Sequence, residues 1–234
     1  MQNNRDRFPI YGAALLRSLG IGLLGVLLGI VLFRAGASSL HIGLVIATGI
    51  AGGAAATSVV SFYGDRLGRR RTLIALSLLA ALGGIGLALT PDFPFLLAIA
   101  FGGMLNGTGT DRSAAFALEQ AALPGLVSDN NRTWAISWCN VILDGGSAIG
   151  ALAAGLPFLL QSWLALDGAV SHRYVLFGYA VLNLLSGISY LFMSSRVEVS
   201  PQTKSTVTKR SWPLRRSGGL ASIARVARPA PVSA

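Results

Sequence analysis

Apolar positions in this chain neither alternate nor keep to one helical stripe; they run on. Stretches at about residues 10–33, 42–63, 72–90, 95–110, 134–160 and 174–193 are apolar on every side and hold few or no charges. A helix rises about 1.5 Å per residue, so about 20 residues cross roughly 30 Å of hydrocarbon. Lipid offers the backbone no hydrogen-bond partner, so each stretch must close its own bonds as a helix. Strands of a membrane barrel would be shorter and alternating. The pattern therefore predicts an all-α, polytopic membrane protein of six transmembrane helices. The fourth stretch is short and glycine-rich, and is predicted to continue beyond Asp111 and Arg112 as a polar helix in a loop. The first is too long for the roughly 7 to 15 apolar residues of a signal peptide and is read as a retained span.

Composition agrees with this reading. Hydrophobic residues make up 53% of the chain and charged ones 12%, with a mean hydropathy of +0.62, too apolar for an ordinary soluble domain. The 29 glycines fall mostly inside the apolar runs, as in closely packed membrane helices. A net charge of +10 suits nucleic acid at first sight, yet the bases sit in short connectors and in the tail. Membrane topology accounts for them better, and nucleic acid is not an expected partner. A lone Cys139 excludes an internal disulfide. His41 and His172 are far apart and no ligand pair has metal spacing; no phosphate-binding glycine loop follows a strand. Neither metal nor cofactor is expected.

Bases cluster on one side of the predicted membrane. Arg5 and Arg7 precede the first span, Arg66, Arg69, Arg70 and Arg71 lie between the second and third, and Arg112 and Arg132 flank the loop after the fourth. The opposite side holds Arg34 and Arg173. Both termini are therefore expected in the cytoplasm of a multi-pass cell-membrane protein. The Asn131, Arg132, Thr133 triplet then faces the cytoplasm, where its glycosylation pattern has no use. Residues 1–193 form the bundle. Residues 194–234 read as a basic cytoplasmic tail, disordered by composition, in which residues 220–228 alternatively rest on an anionic membrane surface.

Polar residues inside spans are candidates for a solute pathway, because charge near the bilayer centre costs at least about 2.5 kcal/mol. Asp144 lies near the midplane of the fifth span, and Ser137, Asn140, Asp144 and Ser147 share one helix face. That stripe is either the wall of a pathway or a set of hydrogen bonds gluing helices together. Arg17 in the first span either snorkels to the cytoplasm or points inward, to pair with Asp144 or attract an anionic solute. Asn106 and Thr110 are four apart in the fourth span and join the candidates. Gly25 with Gly29, Gly49 with Gly53, Gly103 with Gly107, and Gly146 with Gly150 have the four-residue spacing of helix contacts.

Between the second and third spans stands GDRLGRRR, residues 64–71. Asp65, Arg66, Gly68, Arg69 and Arg70, with Arg71 as a further base, resemble the loop signature of the major facilitator superfamily of secondary transporters. Ser61 takes the place of that pattern's first glycine. Residues 111–157 also resemble the family's connection between its fourth and fifth spans, whereas the arginine common in the fourth span has no counterpart near Phe101, Gly102 and Gly103. The fifth span keeps only Gly146, Gly150, Gly155 and Pro157 of the antiporter pattern, which leaves proton antiport unsupported.

The resemblance covers residues 10–193 and implies the N-terminal six-helix half of the major facilitator fold. It implies a carrier, not an enzyme, working on a small-molecule solute in the lipid bilayer by alternating access, with the loop latching one conformation through Asp65. The family has two such halves, so a truncated gene, or a frame change near residues 212–217, is expected. A homodimer of six-span chains is a further arrangement. An inactive fragment or a non-transporting accessory or scaffold protein is the alternative.

Overall fold

A computed structural model of the chain describes residues 7–89, 92–105, 107–109, 113–123, 127 and 131–193, with only the backbone of Arg7 and Asp65. The 194–234 tail lies outside the described residues. Among those described, regular structure is helical throughout: α1 (Arg7–Arg34), α2 (Ser39–Leu67), α3 (Arg69–Leu89), α4 (Phe93–Gly102), α5 (Ala114–Ala122), α6 (Arg132–Ala153), α7 (Leu156–Leu164) and α8 (Gly168–Leu191). The chain is all-α, as its apolar runs require. Among the described residues, five stretches are long and apolar enough to cross a membrane: α1, α2, α3, α6 continued by α7, and α8.

Helix ends follow local chemistry. Ser38 caps α2 by accepting from the His41 amide, Ser113 caps α5 at the Phe116 amide, and Asp167 caps α8 at the Ala169 amide. Each satisfies one of the first-turn N–H groups that a helix leaves unbonded. Gly68 reverses the chain between α2 and α3 at φ 92°, a backbone conformation that a side chain resists.

The fourth apolar stretch departs from the expected helix reaching residue 110. Helix α4 has 10 residues, too few to cross a bilayer by itself at about 1.5 Å each. Beyond it Met104 and Gly109 take φ of 50° and 71°. The reason is tight backbone packing. Added Cβ atoms would strike the Leu105 carbonyl from Gly49 and the Phe101 carbonyl from Gly52, both on α2, and Gly103 rests against Gly83 of α3. Non-helical backbone at membrane depth is tolerated where protein buries it. Helix α5 was expected to be a polar helix in the loop; instead it docks into the bundle, burying Ala114, Ala115, Leu118, Glu119 and Ala122.

The centre belongs to α1, which packs between α6 and α8; α3 lies against α8, and α2 against α4 and α5. Leu24, Leu27, Leu28, Val45, Leu105 and Leu176 fill one end of the core, and Ile10, Leu73, Leu76, Leu118 and Tyr190 the other. The outside is equally apolar: Leu152 is 81% exposed and Trp163 82%. Helices apolar on all sides belong in lipid, where association rests on close packing of small residues. That packing is tightest between α1 and α6. A Cβ on Gly150 would strike the Leu19 carbonyl, and one on Gly22 the Ser147 carbonyl. Gly146 likewise meets Ser18, but Gly29 and Gly53 face open space, so two of the eight glycines expected at contacts make none.

Candidate functional site

Helix α6 carries three distinct surfaces. At 3.6 residues per turn, about 100° apiece, Ala135, Cys139, Leu143, Gly146 and Gly150 fall together and are buried against α1. A second surface of Trp134, Trp138, Val141, Ile149 and Leu152 is apolar and exposed. The third holds Ser137, Asn140 and Asp144, which are also exposed, with half-buried Ser147 at its edge.

The stripe divides in its bonding. Ser147 donates to the Ser18 carbonyl at 3.4 Å, tying α6 to α1, and Asn140 accepts from the Gln120 amide at 3.3 Å, tying α6 to α5. Ser137 and Asp144 have no such partner among the described residues. The sequence left wall and glue as alternatives for this stripe; Ser147 and Asn140 make glue contacts, whereas Asp144 stands open.

Arg17 does not reach Asp144. It is 5% exposed and its guanidinium donates to both carboxylate oxygens of Glu119, Nη1 to Oε1 at 2.8 Å and Nη2 to Oε2 at 2.6 Å. Nη1 also donates to the Tyr190 hydroxyl at 2.6 Å, and that hydroxyl donates in turn to Glu119 Oε1 at 2.5 Å. Three helices thus meet at one satisfied polar cluster: α1, α5 and α8. A planar guanidinium matches a carboxylate with two parallel bonds, and inside an apolar bundle such ions persist only when paired and fully hydrogen-bonded. Of the two alternatives for Arg17, snorkelling and pointing inward, the structure has the second, with Glu119 in place of Asp144 as its partner.

Beside the cluster is a cavity of about 40 Å³ lined by Arg17, Ser77, Tyr179 and Asn183 among others. The Ser77 hydroxyl is buried there without a partner among the described residues, and the volume suffices for a water molecule. Asn183 bonds back to the Tyr179 carbonyl at 2.9 Å, and Ser186 donates to the Ala13 carbonyl at 3.1 Å.

Glu119, Tyr190, Ser77 and Asn183 escaped the sequence reading. Glu119 had one usable signal, a single acid set among alanines and leucines in AAFALEQAA, where a solvated loop helix would carry more charge. Asn106 and Thr110 lie outside the described residues, as does the Asp65 side chain.

The GDRLGRRR turn anchors its own bundle. Arg69 Nη1 donates to the Ala121 carbonyl at 3.4 Å and Arg70 Nη2 to the Leu191 carbonyl at 2.7 Å. Those carbonyls close α5 and α8, where cations suit the free acceptors of a last turn. Arg66 and Arg71 are exposed.

Residues 10–230 match the family model described as Major Facilitator Superfamily. Among curated proteins, the chain is 24% identical over 198 residues to an uncharacterized membrane protein of Saccharomyces cerevisiae, a match that covers 84% of this chain and 44% of the yeast protein. The chain thus spans less than half the length of that relative. No solved structure matches it. The sequence signature, the helical bundle with its membrane-length apolar helices, and a family match covering most of the chain converge: this chain is a multi-pass membrane protein of the major facilitator superfamily.

Proposed function

We propose that this chain forms one six-span half of a secondary carrier that moves a small solute by alternating access between two six-helix bundles. The observation that carries the reading is the exposed surface of α6, where polar Ser137, Asn140 and Asp144 adjoin apolar Trp138, Val141 and Ile149. Lipid suits the apolar strip. An ionised Asp144 against hydrocarbon costs at least about 2.5 kcal/mol, so its side of α6 belongs to an aqueous pathway. A second bundle covers it, supplied by a further segment of a longer protein or by a second copy of this chain; the greater length of the yeast relative supports the first source.

In this reading Asp144 and Ser137 line the pathway, Asn106 and Thr110 extend its wall, and Arg17 holds that wall in place through Glu119. Asp65, Arg66, Gly68, Arg69, Arg70 and Arg71 form the conformational latch on the cytoplasmic side, with both termini there. The test is flux. Proteoliposomes holding the chain with its second bundle, either as one longer protein or as a crosslinkable pair of copies, should show uptake when screened for counterflow of labelled sugars, amino acids and organic acids. Asp144→Asn should abolish that uptake without affecting insertion. A monomeric chain that moves nothing excludes a second copy as the other bundle, uptake absent from both arrangements overturns the proposal, and a stable partner without flux assigns an accessory role instead.

A further inference from the structure

The ends of α1, α3 and α8 farthest from the GDRLGRRR turn enclose a cavity of about 330 Å³, within the size range of small-ligand sites. Arg34, His172 and Arg173 line its polar side and Val31, Leu87 and Leu176 its apolar side. It is remote from the α6 stripe and from the Arg17 cluster, and neither explains it.

His172 is the telling group. It is 5% exposed, and its Nδ1 lies 2.5 Å from the Gly168 carbonyl. A carbonyl only accepts, so Nδ1 carries a hydrogen, and in the neutral form of the ring Nε2 is then a bare acceptor. That Nε2 is buried with no partner among the described residues, and it belongs to a residue lining the cavity. A buried acceptor of this kind calls for a donor.

The cations beside it are also uncommitted to any acid. Neither Arg34 nor Arg173 pairs with a carboxylate among the described residues, and Asp167 spends its own carboxylate on the Ala169 amide at 3.0 Å. Arg34 is held in place: its guanidinium carbon lies 5.1 Å from the centre of the Phe158 ring, and the same ring meets His172 edge-on at 6.3 Å. Stacking of this kind fixes the planar guanidinium in one pose and leaves its edge free for an oxyanion.

We propose that this cavity binds a phosphate monoester, its head between Arg34 and Arg173 and its organic stem on Val31, Leu87 and Leu176. The monoester monoanion combines negative oxygens for two guanidinium groups with one remaining O–H, and that O–H donates to His172 Nε2. A carboxylate or a sulfonate brings charge but no proton, and leaves Nε2 unbonded. The head is common to a soluble organic phosphate and to phosphatidic acid in the surrounding leaflet.

The chain has two histidines, so imidazole ¹⁵N spectra of the intact protein in a nonionic detergent resolve His172 from His41. Titration with butyl phosphate should shift the His172 Nε2 resonance and saturate. Arg34→Gln and Arg173→Gln, both at exposed positions that folding tolerates, should each weaken binding about tenfold or more, as loss of a charged hydrogen bond does. Butyl sulfonate, which carries a single negative charge and no proton, should bind at least about tenfold more weakly. Saturation by butyl phosphate in micelles assigns a soluble ester; a shift that comes only with phosphatidic acid in nanodiscs assigns the lipid. No shift with either, or unaltered affinity in both arginine variants, overturns the site.

Discussion

Arg17 and Glu119, 102 positions apart in sequence, join by two parallel hydrogen bonds of 2.8 and 2.6 Å inside the bundle. The pair locks α5 onto α1, and Tyr190 brings in α8. Removing one partner strands a buried charge, a loss of about 3–5 kcal/mol. Arg17→Met and Glu119→Leu should each lower the unfolding temperature in detergent sharply, whereas the double variant Arg17→Met, Glu119→Leu should recover most of it. If the double variant is as unstable as the sum of the two singles, the pair is not the unit that matters.

Glycine positions separate by what surrounds them. Gly150→Ala drives a methyl group into the Leu19 carbonyl and should loosen α1 from α6, while Gly29→Ala meets nothing within 4 Å and should raise helix stability by about 0.5–1 kcal/mol. Gly68→Ala must hold φ at 92°, at about 1–3 kcal/mol. Thermal melts of the three variants in one detergent check the order Gly29→Ala above the parent, with the other two below it.

On the proposed pathway, water reaches the Asp144 face of α6 and not the Ile149 face. With Cys139 replaced by alanine, a cysteine at Asp144 should react with a water-soluble maleimide in intact membranes, and a cysteine at Ile149 should not. Cys139 itself, 1% exposed, should resist the reagent in the parent chain and become reactive in Gly150→Val, where α6 is pushed off α1. Equal labelling at 144 and 149 would remove α6 from the pathway.

The four arginines of the loop predict its side of the membrane. Reporter fusions placed after Arg71 should register as cytoplasmic, and fusions after Gly36 as external. Exchanging Arg66 and Arg71, the two exposed bases, for glutamine should weaken that bias while leaving the Arg69 and Arg70 bonds to the ends of α5 and α8 in place. An external reading after Arg71 in the parent chain would invert the whole topology.

The sequence by itself determined that this chain lives in lipid, and largely where it crosses. Uninterrupted apolar length has one stable backbone solution in hydrocarbon, so α1, α2, α3 and α8 were legible to within a few residues at most ends. The loop signature was legible because it is local: Gly68 sets a turn and the arginines sit beside it. The polar stripe of α6 was legible too, since a helix places Ser137, Asn140 and Asp144 on one side whatever surrounds it.

Only the tertiary structure decided partners. Which acid meets Arg17 depends on how α5 docks, and Glu119 is a loop residue until that docking brings it into the core. The break after α4 depends on Gly49, Gly52 and Gly83 lying against its backbone from other helices, and no periodicity along residues 95–110 records that. The same holds for the cavity at Arg34, His172 and Arg173, whose first and last members lie 139 residues apart by their numbers. Local sequence fixes what a residue is able to do as part of a helix; close packing between helices fixes which group it does it to.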